Sequence, residues 1–302
     1  MTAERFYYRA FGLDIDSELE IVQLQVGDAD QADPDRKLIL QLGEVEENAI
    51  SAPGLRRALV RTQFRYEVVN GRHVTIECLP GADRRNVTDM IAGRVMTSVI
   101  YQRGLLPLHA SAVSIGGGIV ALCGESGTGK STLAAALGRN GHVVVSDDLL
   151  PVKASAGQIP RAWPGASRLK LSQGVLDYLG YTDDDLPLAN NQEGKFLAGQ
   201  ASLGGSEKSK LWRDGQPLKA IIRIKRGTLA IRKLRPLEAM ADWPLHLRST
   251  DLVPVADPPD AIWQQWLNIV KQVPMLELCC GGEFSELLET AERIEKYLAA
   301  DR

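Results

Sequence analysis

Arg61–Val69 and Arg72–Leu79 alternate in residue type and flank Asn70-Gly71. That dipeptide accepts positive φ at both central positions of a type I′ turn, so the pattern predicts a tight hairpin. Lys37–Leu42 reads as a further short apolar strand, and Gly27–Arg36, rich in Asp, Ala and Gln, as an exposed loop. The period then changes. Over Asp89–Gln102, Met90, Ile91, Val95, Met96, Val99 and Ile100 recur at helical spacing, and Gly104 fits the position just past a helix end.

The centre reads as strand, turn and buried strand: Leu106–Ser114, Gly116-Gly117-Gly118 and the wholly apolar Ile119–Cys123. A Gly-rich loop leads into a predicted helix over Lys130–Arg139, ended by Asn140-Gly141. His142–Ser146 is a second apolar strand, and Asp147-Asp148 follows it directly. Strand, loop, helix and strand within about 30 residues form a mononucleotide-binding unit. Beyond Pro151 the expected elements are a short helix over Ser172–Leu179, a hairpin of Leu218–Lys225 and Thr228–Leu234 around Arg226-Gly227, and helices over Pro259–Val270 and Glu283–Ala299. Tyr181–Ser209 is polar, Gly-rich and aperiodic, which suits a lid, a substrate-binding segment or disorder. The domain division expected is 1–103, β-rich and ending in a helix, and 104–302, carrying the nucleotide unit.

Composition narrows the partners. Of 302 residues, 44% are hydrophobic and 24% charged, enough for a buried core, and the net charge of −3 offers no general attraction to nucleic acid. No apolar run approaches the roughly 20 residues that span a bilayer, and Met1–Ala10 lacks a secretory apolar stretch. Four cysteines (Cys78, Cys123, Cys279, Cys280) show no CxxC spacing and read as buried small hydrophobes. A cytoplasmic chain without membrane or nucleic-acid partners is expected.

Gly124-Glu125-Ser126-Gly127-Thr128-Gly129-Lys130-Ser131 satisfies G-x-x-x-x-G-K-[ST] in full. Its glycines let backbone N–H groups curl around phosphate, and Lys130 brings a point charge to the β- and γ-phosphates. The Ser131 hydroxyl ligates Mg²⁺, and the helix that begins here through Ser131 and Thr132 adds its positive end. The cofactors expected are therefore ATP and Mg²⁺. A phosphoryl transfer also needs an acid for the metal or the acceptor hydroxyl. Asp147 and Asp148, adjacent at a strand end, point in different directions, so one can accept a proton while the other holds magnesium or its water. His109 lies on an apolar strand, where it is either a hydrogen-bonded core residue or a site residue. Arg168 and Lys170, alternating on a candidate strand, are possible phosphate or substrate contacts, and Lys195, Lys208 and Lys210 could reach over the phosphates.

The order Leu108-His109-Ala110-Ser111-Ala112-Val113, Gly124–Ser131, Gly141-His142 and Ser146-Asp147-Asp148 resembles the catalytic domain of HPr kinase/phosphorylases. It is similar above all to the HPr-kinase-like proteins of peptide-modification systems, which include kinases of lasso-peptide precursors; the opening Tyr8-Arg9-Ala10-Phe11-Gly12-Leu13 also resembles that subgroup. The specific part covers about Leu106–Val152. The resemblance implies an α/β fold with an HPr-kinase/carboxykinase-like mixed sheet and a smaller β-rich N-terminal domain. It implies His109 near the acceptor, Asp147 as general base toward a serine hydroxyl, and Asp148 at the metal and phosphate end. Members of the family form rings, which leaves a homo-oligomer open. The chain departs from the family's Glu-Ile-Arg-Gly segment, for Arg161–Lys170 contains no acid; HPr as substrate and phosphorylase activity are therefore not expected. The function expected is an ATP- and Mg²⁺-dependent serine kinase acting on a peptide or protein. The alternatives are a small-molecule kinase on this scaffold and a slowly hydrolysing ATP-dependent regulator.

Overall fold

Two mixed sheets and the helices that cover them organise the chain as an α/β fold. The computed structural model describes residues 4–60, 62–166, 168–181, 186, 188–189, 194–198, 214–242, 246–249, 251–252 and 260–300. The calls made on Arg61, Lys208, Lys210 and most of Tyr181–Ser209 fall outside these residues.

Residues 6–78 build the first sheet from β1 (Phe6–Ala10), β2 (Leu13–Ser17), β3 (Gln25–Val26), β4 (Lys37–Leu42), β5 (Ile50–Ala52), β6 (Leu55–Val60), β7 (Phe64–Val69) and β8 (His73–Cys78). Their spatial order is β3-β1-β2-β4-β8-β7-β6-β5. The predicted hairpin forms as β7 and β8, with Asn70 at φ 50° and Gly71 at φ 60°. Alternation puts Phe64, Tyr66, Val68, Val74 and Ile76 on the buried face, where they join one core with Val87, Ile91, Val95 and Val99 of the following helix.

That helix starts earlier than the periodicity indicated. The Asp83 carboxylate accepts from the Arg85 N–H (2.9 Å), capping α1 (Arg84–Met90). The chain continues through a π-helical turn, Ile91–Val95, into α2 (Met96–Gln102), and Gly104 follows at φ 65°.

The second sheet contains β9 (Leu106–Leu108), β10 (Ala110–Ile115) and β11 (Gly118–Cys123), followed by α3 (Lys130–Arg139), β12 (Val143–Ser146), β13 (Leu150–Lys153) and β14 (Arg161–Ala162). β15 (Leu169–Ser172), which leads into α4 (Gln173–Leu179), pairs with β16 (Lys195–Ala198) outside it. The remaining elements are β17 (Gln216–Arg226), β18 (Ala230–Lys233), α5 (Pro236–Ala241), α6 (Ala261–Gln272), β19 (Met275–Cys280) and α7 (Phe284–Ala300). β11, β17 and β19 are parallel neighbours, and β10 and β12 continue the sheet antiparallel. All six residues of β11 are buried, as a strand covered on both faces requires. Ile262, Trp266 and Ile269 of α6 cover one face, and α3, α4 and α7 the other.

Three expectations are corrected. The single strand Leu106–Ser114 breaks at His109: β9 pairs with β13, whereas β10 pairs with β11 and β12. The main chain of His109 leaves both ladders and donates to the His246 carbonyl (2.7 Å). The hairpin around Arg226-Gly227 does not form, because β19 lies between the two strands and pairs parallel with β17 and antiparallel with β18. Of the four cysteines only Cys123 is buried; Cys78 is exposed, and Cys279 and Cys280 are half-buried at the end of β19. Among the described residues no helix is long and apolar enough to cross a membrane.

Candidate active site

The loop Gly124–Ser131 joins the end of β11 to the first turn of α3. Gly124, Gly127 and Gly129 take φ of 148°, 83° and 99°, values that side chains rarely adopt. Gly124 is also sterically confined, since a Cβ there would lie 2.9 Å from both the Ile224 carbonyl oxygen and Thr128 Oγ1. Gly124→Ala is therefore expected to weaken nucleotide binding by at least about fivefold through strain of ~1–3 kcal/mol. Isothermal titration checks this, and an affinity within about twofold of wild type would contradict it.

The loop holds its own lysine. Lys130 Nζ donates to the carbonyls of Gly124 (2.9 Å) and Glu125 (3.1 Å), and Thr128 Oγ1 donates to the Glu125 carbonyl (2.8 Å). Burial lowers the Lys130 ammonium from its ordinary value against the opposing pull of Asp148 and Asp147. Ser126, Gly127, Gly129, Lys130, Ser131 and Thr132 line a cleft of about 280 Å³, together with His109, Asp147, Asp148, Lys170 and Lys195. Gly124 and Glu125 are absent from that lining and act through their carbonyls on Lys130.

The two acids diverge because of one local turn. The Leu149 N–H donates to the Asp147 carbonyl (2.9 Å), closing a γ-turn centred on Asp148 at φ 71°. Asp147, buried, turns toward the loop. Its Oδ1 accepts from Ser131 Oγ (2.8 Å) and Ser111 Oγ (2.6 Å), and its Oδ2 accepts from the Lys170 N–H (3.1 Å). Asp148 turns the other way. Its Oδ1 lies 3.1 Å from His109 Nδ1 and forms an ion pair with Arg248, whose Nη1 is also 2.9 Å from His109 Nδ1. Burial pushes the Asp148 carboxyl upward. The hydrogen bond with His109 and the charges of Arg248, His109 and Lys170 outweigh that and hold it well below the usual carboxylate range.

The acid-free stretch Arg161–Lys170 runs beside this turn. Ala166 accepts from the Asp147 N–H (2.7 Å), and the Gly165 N–H donates to Val145 (2.9 Å). Lys170 reaches the cleft and forms an ion pair with Asp89 of α1 (2.5 Å). Burial lowers its ammonium pKa, but Asp89 more than compensates and the net shift is upward. Arg168 precedes β15 and lines neither this cleft nor the one adjoining it at Asp148. Lys195, on β16, lines the cleft.

Sequence reasoning assigned no role to Arg248 or Ser111. Arg248 comes from a segment joined to β9 by the Leu108–Leu247 bridge and by its own N–H to Pro107 (2.9 Å), a pairing with no local sequence signal. Ser111 is 2 residues beyond His109 on β10, and no local sequence signal distinguishes it from Ser114 on the same strand. A second pocket, of about 230 Å³ and lined by Leu133, Val175, Ile224, Phe284 and Leu287, shares Gly127, Gly129 and Thr132 with the first.

No family model matches the sequence, and no curated protein matches it. Among solved structures, the HPr(Ser) kinase/phosphatase from Coxiella burnetii aligns with 65% of this chain and 99% of its own, at 13% identity and a TM-score of 0.35. The functional reading rests on the geometry of this chain's own side chains.

Proposed function

We propose that the chain is an ATP- and magnesium-dependent phosphotransferase that moves the γ-phosphoryl group to a Ser hydroxyl of a peptide or protein. One observation carries this reading: the γ-turn at Asp148 sends one acid to the Walker serine and its neighbour to a His–Arg pair across the same cleft. A protein that only binds nucleotide has no need of the second arm.

The loop N–H groups and Lys130 hold the β- and γ-phosphates, while the apolar pocket beside Gly127 and Thr132 suits the flat base. Ser131 Oγ and the Asp147 carboxylate, 2.8 Å apart, are hard oxygen donors of the kind that fit Mg²⁺ held mainly by phosphate and water. When bound, the ion neutralises charge on the β- and γ-oxygens. Ser111 orients Asp147 from behind.

Asp148 takes the acceptor role. It receives the proton of the Ser hydroxyl as the oxygen–phosphorus bond forms in line and the bond to the ADP oxygen breaks. With His109, Arg248 keeps Asp148 ionised in the resting site, and it lines the cleft that adjoins the phosphate cleft at Asp148. This division is the reverse of the one the family resemblance implied, because Asp147 already receives three hydrogen bonds on the loop side. The acceptor class is a short ribosomally made precursor peptide, as that resemblance suggests.

Intact-mass spectrometry of Ser-containing precursor-type peptides, incubated with protein, ATP and Mg²⁺, tests the proposal. A gain of one phosphoryl group, absent with Lys130→Ala, is expected. ADP formation without any phosphopeptide would overturn it.

A further inference from the structure

The first sheet has an open edge beside the catalytic acids. β6 pairs with β7 along its whole length, from Leu55↔Val69 to Val60↔Phe64. On its other side β5 covers only Leu55, Arg56 and Arg57. Among the described residues, Ala58–Val60 therefore have a strand on one side and none on the other. The two-residue turn Pro53-Gly54 closes the pair Ala52↔Leu55, so Leu55 and Arg57 direct their main-chain groups toward β5. By alternation Leu59 directs its N–H and C=O to the same, open side. Leu59 is 55% exposed, at a place where proteins usually blunt an edge with charge or proline.

This edge lies at the acceptor mouth. Leu59 and Val60 line a cleft of about 420 Å³ with Met90, Gly93 and Arg94, and the cleft ends on Asp148 and Lys170, which also line the phosphate cleft. Gly93 sits in the π-helical turn, and a Cβ there would come within 3.2 Å of Arg248 Nη2; π turns commonly reshape a helix at a functional site. The charges on the walls pair with one another: Arg94 with Asp251 (2.7 Å), Lys170 with Asp89 (2.5 Å), and Arg248 with Asp148. A charged small acceptor finds no unpaired charge among these groups. An extended backbone finds a donor, an acceptor and an apolar side chain at Leu59.

We infer that the acceptor is an extended polypeptide segment that adds to β6 as a further strand along Ala58–Val60, bringing its Ser to Asp148. The inference rests on the peptide-kinase reading above and assigns to the N-terminal sheet the work of recognition. Strand addition draws affinity from main-chain hydrogen bonds and tolerance from side-chain pockets of alternate residues, so the sequence preference is broad, with an apolar residue favoured beside Leu59.

The test uses full-length protein, ATP, Mg²⁺ and a library of dodecapeptides with a central Ser, read by mass spectrometry. The best substrate is then resynthesised with each backbone nitrogen methylated in turn. N-methylation is expected to raise KM by about tenfold at alternate positions and leave the intervening ones unchanged, the period of an added strand. Leu59→Pro, which deletes the edge donor, should raise peptide KM by a similar factor with ATP affinity unchanged, and Leu59→Ala should raise it less. The methylation scan on wild-type protein reads out independently of whether Leu59→Pro folds. A substrate insensitive to N-methylation, or sensitive without alternation, overturns strand addition while leaving the peptide-kinase reading standing. No phosphopeptide from the wild-type protein overturns both.

Discussion

Asp148→Asn is expected to lower phosphoryl transfer by about 10²–10⁴-fold, the scale of a lost general base. ATP affinity should stay within about twofold of wild type, because Asp148 contacts His109 and Arg248 rather than the loop. The substitution is well placed to separate chemistry from folding. Asn tolerates positive φ, so the γ-turn at φ 71° survives, and its amide oxygen can still accept from Arg248. What disappears is the site that, in the proposed mechanism, takes up the hydroxyl proton. Steady-state phosphorylation together with titration calorimetry checks both halves. Near-wild-type transfer would remove Asp148 from the base role.

Arg248→Ala is expected to reduce kcat by about 10²–10³-fold, the effect of deleting one preorganised charge from a transition state. Arg248→Lys should restore part of the rate, since Nη1 alone makes the contacts to both His109 Nδ1 and the Asp148 carboxylate and one ammonium nitrogen can donate to both. The pH profile adds a second readout. Arg248 is among the charges that hold Asp148 below the carboxylate range, so removing it raises the Asp148 pKa. The unprotonated base is then lost at higher pH, and the acid limb of the rate profile moves toward neutrality. Stability follows the same sign. A depressed folded pKa contributes stability above the unfolded value of about 3.9, and that contribution drains as pH falls below it. The gap in Tm between wild type and Arg248→Ala should therefore narrow as pH falls from about 5 to 3.

Much of this site was legible because its signals are local. The eight-residue loop motif, the apolar strand before it and the helix after it lie within Gly118–Arg139, and Asp147-Asp148 follows the next strand. The divergence of two neighbouring acids was also readable, since adjacent residues at a strand end point apart. Which acid goes where was not, for that depends on a γ-turn at φ 71° and on hydroxyls of Ser111 and Ser131 brought in from β10 and α3. Arg248 is 139 positions from His109 in sequence and arrives by main-chain pairing with β9. The hairpin expected around Arg226-Gly227 failed for a related reason. β18 meets β19 from 43 or more residues away, and local alternation says nothing of such partners. β7 and β8 formed the expected hairpin because Asn70-Gly71 supplies the positive φ that the turn needs, but Arg72 joins the loop and Val69 lies opposite His73, one residue off the register of a two-residue turn.

Metal titration of the two single-acid variants tests the division of labour most directly. With ATP saturating, the Mg²⁺ concentration for half-maximal activity, or Mn²⁺ binding followed by electron paramagnetic resonance, is measured for Asp147→Asn and Asp148→Asn. Asp147→Asn should raise the half-saturating metal concentration by about 10–100-fold, as loss of a supporting carboxylate does. Asp148→Asn should leave it unchanged while transfer collapses. The opposite pattern, with metal affinity lost on Asp148→Asn and kept on Asp147→Asn, would contradict the account and return the base role to Asp147.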